Sequence, residues 1–394
     1  KSLSVSVFRP AYADIMDPDF ELPKDMKMSI GMDWELGDGW YFSADYLKTE
    51  TDKDLHFKQL RLGNPAFAGS VNCPEIGNSI SNMPIGTAVD GRQIYADYSY
   101  CGKAMEKFYD GRGYDMLLTN TDKGHSDLVS LSMAKTWDSW DIYASYTWQD
   151  VQSVGNLSSS RNISNFKYTT KYADFNEDVL HRSIYSREHT FNFVANYTKY
   201  FFSDHPTIFT FVGAAISGEP FSYTFGNYKD GALWGLDKES TRDATAAFYV
   251  PNGDVVVPSY FQSDLDSYIA AAGLSGYAGG FAPINGFETD WNYRLDFKLT
   301  QEFPGLGLTD KDKFVLTLDV ENLLNLIDSE YGRQTKASAS DRSIAEAVPV
   351  SLGDGNFTYQ YKPAYKMSLA KIHNESTNYY RSLYRIQLGF KYMF

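Results

Sequence analysis

"YRIQLGFKYMF", residues 384–394, closes the chain. Tyr384, Ile386, Leu388, Phe390, Tyr392 and Phe394 alternate with Arg385, Gln387, Gly389, Lys391 and Met393. Period-two alternation puts each set on its own face of a strand. Chain ends are ordinarily polar and frayed. An end that alternates down to a bare phenylalanine reads as a strand paired along its length, with one face in an apolar medium and the other in water.

The same pattern recurs upstream. Val129, Leu131 and Met133 oppose Ser130, Ser132 and Ala134; Ile142, Ala144, Tyr146 and Trp148 oppose Tyr143, Ser145 and Thr147. Phe191, Phe193, Ala195 and Tyr197 oppose Asn192 and Asn196. Tyr293, Leu295, Phe297 and Leu299 oppose Arg294, Asp296 and Lys298, and Phe314, Leu316, Leu318 and Val320 oppose Thr317, Asp319 and Glu321. Such runs predict strands with one apolar face. About ten are expected, near 1–9, 24–37, 39–62, 114–137, 139–151, 186–202, 206–218, 289–302, 312–325 and 379–394. Those at 39–62 and 114–137 exceed the ~9–11 residues that cross a bilayer, and so predict a protruding hairpin.

Connections alternate between tight and long. "LGDGW" (36–40), "TWDSW" (136–140), "FFSDHPT" (201–207) and "FPGLGLTDKDK" (303–313) are short, whereas 63–113, 151–186, 219–289 and 326–379 are long. An antiparallel up-and-down sheet with short turns at one end and long loops at the other gives this order, as does a transmembrane β-barrel with short periplasmic turns and long extracellular loops. Aromatics gather beside the tight turns: Trp34, Trp40, Tyr41, Phe42, Trp137, Trp140, Tyr200, Phe201, Phe202, Phe303, Tyr392 and Phe394. An interfacial girdle would lie there.

Composition agrees. Aromatics make up 16% of the chain, yet no run approaches the ~18 apolar residues of a membrane helix. Barrels spend only alternate residues on lipid, so hydropathy stays low. The net charge of −14 argues against a nucleic-acid partner, which needs a surplus of Lys and Arg. The chain opens on "KSLSVSVF", already alternating and with no signal peptide ahead of it, and so reads as a fragment that starts mid-strand. Cys73 and Cys101 both fall in 63–113; they are either free thiols or, in an oxidising compartment, a disulfide stapling one surface loop.

"FVLTLDVENLLNLIDSEYG" (314–332) resembles the late strand of TonB-dependent receptors. "YDMLLTNTDKGHSDLVSLSMAKTWDSWDIYASYTWQDVQSV" (114–154), "ISGEPFSYTFG" (216–226) and "YRLDFKLTQEFPG" (293–305) are similar to the Oar-like, OmpA-related branch of that family. The terminal aromatic strand, with Tyr384, Ile386, Leu388, Phe390, Tyr392 and Phe394, resembles the sorting signal read by outer-membrane assembly machinery. The resemblance covers most strands and none of the long loops. It implies a 22-strand barrel, of which this chain supplies about ten C-terminal strands, with a plug in the lumen. The plug, a TonB box and an N-terminal module are not visible in this chain, and a companion chain or a longer one would carry them. The resemblance also implies the outer membrane of a Gram-negative bacterium, a periplasmic C-terminus, and as partners membrane lipid, the plug and remaining strands, the TonB complex and an extracellular ligand.

On that frame Arg294, Asp296, Lys298, Asp319, Glu321, Asn322, Arg385 and Lys391 face the lumen, where mixed charges suit a salt-bridge network against a plug. No catalytic constellation is expected: G-x-S-x-G, H-E-x-x-H and phosphate-binding loops are missing, His125 beside Ser126 and Asp127 makes no triad by adjacency alone, and His181, His189 and His205 read as surface residues. No metal or cofactor is expected. "DPDFE" (17–21) and "LGDGNF" (352–357) gather oxygens that could help ligate calcium, without EF-hand spacing. Asp33, Glu35 and Asp38 read as a solvated turn. The function expected is active transport of a bulky ligand, with no covalent chemistry. The alternatives are a scaffold barrel for surface or secretion partners and a secreted carbohydrate-active protein, which would need two convergent carboxylates in a cleft.

Overall fold

In the computed structural model the described residues are 13–60, 62–63, 71–73, 78–80, 84–95, 115–202, 204–226, 231–236, 245–309, 311–336, 342–364, 376–377 and 379–394. The strand expected at 1–9, the residue Cys101 and the side chain of Cys73 lie outside them.

The chain is all-β in its main body. The strands are β1 (Ala13–Met16), β2 (Lys24–Gly37), β3 (Trp40–Gln59), β4 (Asp115–Thr121), β5 (His125–Thr136), β6 (Trp140–Ser153), β7 (His189–Phe202), β8 (His205–Ile216), β9 (Asn292–Pro304), β10 (Lys313–Glu321), β11 (Ser343–Gly353), β12 (Asn356–Pro363) and β13 (Arg385–Met393). Three helices exceed one turn: α1 (Asn162–Lys167), α2 (Ser259–Ala271) and α3 (Leu323–Ile327). A 12-stranded sheet holds an antiparallel meander, in the order β2-β3-β5-β6-β7-β8-β9-β10-β13. Among the described residues the sheet is not closed: β2 pairs only with β3, and β13 only with β10.

Register explains how local chemistry becomes a surface. Trp140, Tyr197, Phe209, Leu299, Leu318 and Leu388 stand opposite one another in one row across six strands. Trp34, Phe42, Met133, Ala144, Phe193, Gly213 and Leu295 form another. The phenyl ring of Phe193 lies where a Cβ on Gly213 would be, so glycine is needed there. The opposite face carries rows such as Thr136, Asp141, Asn196, Thr210, Lys298, Asp319 and Gln387. Cross-strand pairs of this kind stabilise a sheet locally, by about 0.2–1 kcal/mol each.

Among the described residues no other layer packs against the apolar face. Ile30 is 72% exposed, Leu388 73% and Phe390 70%. Beside the tight turns Trp40 stacks on Phe42 and meets Trp137 edge-on, with the Lys135 ammonium over both indoles. Phe202 meets Phe303, and Phe314 contacts Phe390 and Tyr392. A second belt crosses the other end of this face, where Tyr146, His189, Trp291 and Tyr293 stack in succession. The turn joining β2 to β3 takes left-handed conformations at Asp38 (φ 49°) and Gly39 (φ 76°), which suits the twist of a two-residue hairpin.

The long β3 strand pairs in one continuous register first with β5 and then with β4. The two partners are separated only by residues 122–124, where Gly124 accepts a hydrogen bond from Thr51. This is the protruding hairpin expected from strand length. Its upper half meets a cap built from the long connections. Thr224–Phe225, β11, β12, Gly86–Ala88 and Gln93–Ile94 form a five-stranded sheet whose members come from three different connections. α2 adds Phe261, Leu265 and Tyr268, spaced along one helical face. The main buried cluster is nearly all cap; among main-sheet strands only Phe57 and Met116 belong to it, both in the protruding hairpin.

Arg92 is the cap's central cation, with no exposed surface. It pairs with Asp90 at 2.7 Å and donates to the carbonyls of Tyr172 and Ala247 at 3.0 and 2.6 Å. The rings of Phe281, Trp234, Phe225 and Phe175 surround its guanidinium at 4.7–6.0 Å. Tyr359 donates to Asp90 at 2.9 Å. Residues from all four long connections therefore meet at one ion pair.

Breaking a buried pair strands one charge in low dielectric, so Arg92→Met is expected to destabilise the cap by about 3–5 kcal/mol. Adding Asp90→Asn should recover part of that loss. Urea titration read by limited proteolysis of the cap measures both variants, and a double mutant no more stable than the single one would contradict the pairing.

Candidate functional site

The main sheet's polar face carries most of the residues expected to face a lumen. Arg294 donates through Nε to both carboxylate oxygens of Asp296 at 2.9 Å and lies 3.8 Å from Glu321. Arg385 approaches Glu321 at 3.9 Å, and Lys298 pairs with Asp319 at 3.1 Å, directly across β9 and β10. These pairs are all partly exposed, and such bridges stabilise weakly. They place charges of both signs side by side on the polar face. Six of the eight expected residues are thus ion-paired, Arg294, Asp296, Glu321 and Arg385 in one linked network and Lys298 with Asp319 as a separate pair.

Two of the eight behave differently. Lys391 stands opposite Val315 near the other end of the strands, away from the network. Asn322 leaves the polar face altogether. It follows β10 in a left-handed conformation (φ 53°) and is 3% exposed. Its backbone donates to Asp296 at 2.7 Å, and its side chain donates to the carbonyls of Gly332 and Ser382 at 2.9 and 2.7 Å. Asn322 therefore locks the chain entering β13 against the end of β10. A left-handed turn favours asparagine, which explains the choice of residue.

Of the residues expected to form a terminal sorting signal, Ile386, Leu388, Phe390 and Tyr392 share the apolar face, as the alternation predicts. Tyr384 precedes β13, and Phe394 follows it and is 88% exposed. Tyr392 stacks with Phe394 and donates to Asp312 at 2.7 Å. That hydrogen bond, joined by backbone donors of the β9–β10 turn, holds the Asp312 carboxyl below its usual range. The turn and the last strand are thus fixed together.

The calcium-like segments have other uses. Asp17 accepts from Thr119 at 2.7 Å and from the Asp19 backbone at 3.1 Å. Asp354 (φ 50°) and Gly355 (φ 75°) form the hairpin turn between β11 and β12. Among the described residues no group of three or more His, Cys, Asp or Glu side chains is placed to hold a metal.

His181 is buried rather than superficial, with Nδ1 2.9 Å from the Arg182 carbonyl and Nε2 3.1 Å from that of Val154. His56, unremarked in the sequence, is also buried, 2.9 Å from the Asn176 carbonyl at the junction of hairpin and cap. Burial lowers the pKa of both, to about 4 for His56. Beside them Lys171 is buried under Phe166 and lowered to about 8 by desolvation.

Sequence reasoning took the long loops for polar surface and so missed the cap. Two signals were there to be read. "SIAEAVPVSLGDGNFTYQYKP" (343–363) has the Asp-Gly turn of a hairpin, and "SYFQSDLDSYIAA" (259–271) has helical spacing.

No protein-family model matches this chain, and no curated protein matches it.

Both buried histidines are neutral when folded and take up protons near ~6.5 when unfolded. The stabilisation from His56 is therefore complete above about pH 6.5 and is lost as pH falls toward about 4, and burial of His181 acts in the same direction. The cap's melting temperature is expected to drop over that window, and His56→Gln should flatten the slope. A wild-type profile flat from pH 7 to 4.5 would contradict the burial of both rings.

Proposed function

We propose that this chain is the C-terminal wall of an outer-membrane TonB-dependent transporter of the Oar-like branch. One observation carries the reading: a nine-strand meander presents a continuous apolar face, bordered by two aromatic belts, with no other layer packed on it among the described residues. In water such a face would be a large exposed patch and an association hazard. In lipid it is a barrel wall. Trp140 and Trp148 lie eight residues apart on β6, about 26 Å along the strand at about 3.3 Å per residue. That length, tilted, suits the ~25 Å apolar band of outer-membrane barrels.

In this reading the tight turns face the periplasm, with Phe394, and the cap faces outward. The open edges β2 and β13 meet the remaining strands, and the salted polar face meets the plug. The energised TonB complex acts on the plug, and the chain itself does no covalent chemistry. The packed cap favours a second reading, a barrel whose rigid outer domain is a platform for surface proteins. Mild-detergent purification of the outer membrane, with mass spectrometry of what stays bound, separates the two. A plug and TonB-type strands support transport; stable surface proteins with no plug support the platform. A chain that is soluble without detergent would overturn both.

Leu318→Arg or Leu295→Arg places a charge in lipid at a cost of about 2–4 kcal/mol near mid-membrane. Either is expected to reduce folded, heat-modifiable barrel in the outer membrane at least severalfold, while Asp319→Asn and Asp296→Asn leave it within about twofold. Equal loss from both faces would count against a lipid-facing wall.

A further inference from the structure

The apolar face holds an open groove of about 410 Å³ that crosses from β2 to β7. Two short side chains make it, standing in rows of long ones. Ala44 lies between Met32 and Leu131 in a row that continues to Tyr146 and Phe191, and Ala144 lies between Met133 and Phe193 in the next row. At the tight-turn end the groove runs into a held cation. Lys135 follows Met133 on that face of β5, and Phe42, which also lines the groove, stacks on Trp40 at 5.8 Å. The Lys135 ammonium sits 4.7 Å from the centre of the Trp40 ring and 4.9 Å from that of Trp137. Among the described residues no carboxylate pairs with it.

We propose that the groove and Lys135 together bind one anionic glycerophospholipid of the leaflet at the tight-turn end, with an acyl chain in the groove and the phosphate on the ammonium. The inference rests on the membrane-wall reading and names one lipid that the wall selects. The groove crosses five strands, a span of about 19 Å at about 4.8 Å per strand. Its volume equals that of about 14 liquid waters at about 30 Å³ each, and a methylene group is of similar size, so a single acyl chain fits. Charge complementarity chooses the headgroup. The two ring faces attract the ammonium without accepting its three N–H groups as a carboxylate would. A phosphate oxygen takes those donors in a charge-assisted bond. Indoles settle where lipid meets water, the depth at which a headgroup joins its chain. One phospholipid therefore reaches both parts of the site at once, whereas a lipid with no net charge brings an internal competitor for its own phosphate.

The test extracts the assembly that contains this chain in mild detergent and weighs it by native mass spectrometry. A single retained phospholipid per chain is expected. Delipidated protein is then titrated with phosphatidylglycerol and, as the zwitterionic comparison, phosphatidylcholine. Phosphatidylglycerol should bind saturably and about fivefold more tightly, and Lys135→Gln should erase that preference, which is the share of one lysine at a membrane surface. Ala44→Leu combined with Ala144→Leu fills the groove and should weaken both lipids. Lys199 stands at the same end of the same face but outside the groove, so Lys199→Gln should change neither. Heat-modifiability shows that each variant is folded; should the double alanine variant not fold, Lys135→Gln decides alone. No retained phospholipid, equal effects of Lys199→Gln and Lys135→Gln, or a groove filled by lipopolysaccharide or a second copy of the chain would overturn the site. Any of these in a detergent-requiring barrel removes the site and leaves the wall reading. A chain soluble without detergent that still binds phosphatidylglycerol in this pattern keeps the site and removes the wall reading.

Discussion

The apolar face of the main sheet is covered by no other layer among the described residues, and the rest of the structure is arranged around that fact. A sheet in water hides one face against a second layer. Here the rows from Trp140 to Leu388 and from Trp34 to Leu295 face outward over nine strands. Hydrophobic burial within the chain cannot hold this sheet together, so backbone ladders and cross-strand pairs must do so. The residues on the far face are free to be polar, and they are.

The burial that the sheet forgoes appears in the cap. Loops of this length ordinarily carry function or remain unstructured. These have enough aromatic residues to build a core, and the core needs something to bring four separated connections to one point. Arg92 does this with directional bonds to Asp90, Tyr172 and Ala247, and with the ring faces around it. A buried charge is costly alone, but this one has a counterion, carbonyl acceptors and aromatic walls. The hairpin β3–β4 then ties the cap to the main sheet through Phe57 and Met116.

The strands were legible because their signal is local. Nine of the expected strands occur within a few residues of the positions read from alternation, and the face of each follows from parity alone. Arg294, Asp296, Lys298, Asp319, Glu321 and Arg385 were legible for the same reason. Asn322 was not, because its place depends on a left-handed turn beyond the strand and on Gly332 and Ser382, 10 and 60 residues away. His56 and His181 were hidden likewise: a histidine on a strand or loop is buried only if another connection covers it.

The sequence by itself determined the strands, the two chemistries of the sheet and the unequal connections, because period-two alternation and turn residues act over a few positions. The tertiary structure alone decided that the connections would merge into one cap around Arg92. It alone decided that Arg294 and Arg385 would converge beside Glu321. Such contacts join residues far apart in the chain, and no local pattern encodes which distant partner completes a buried charge.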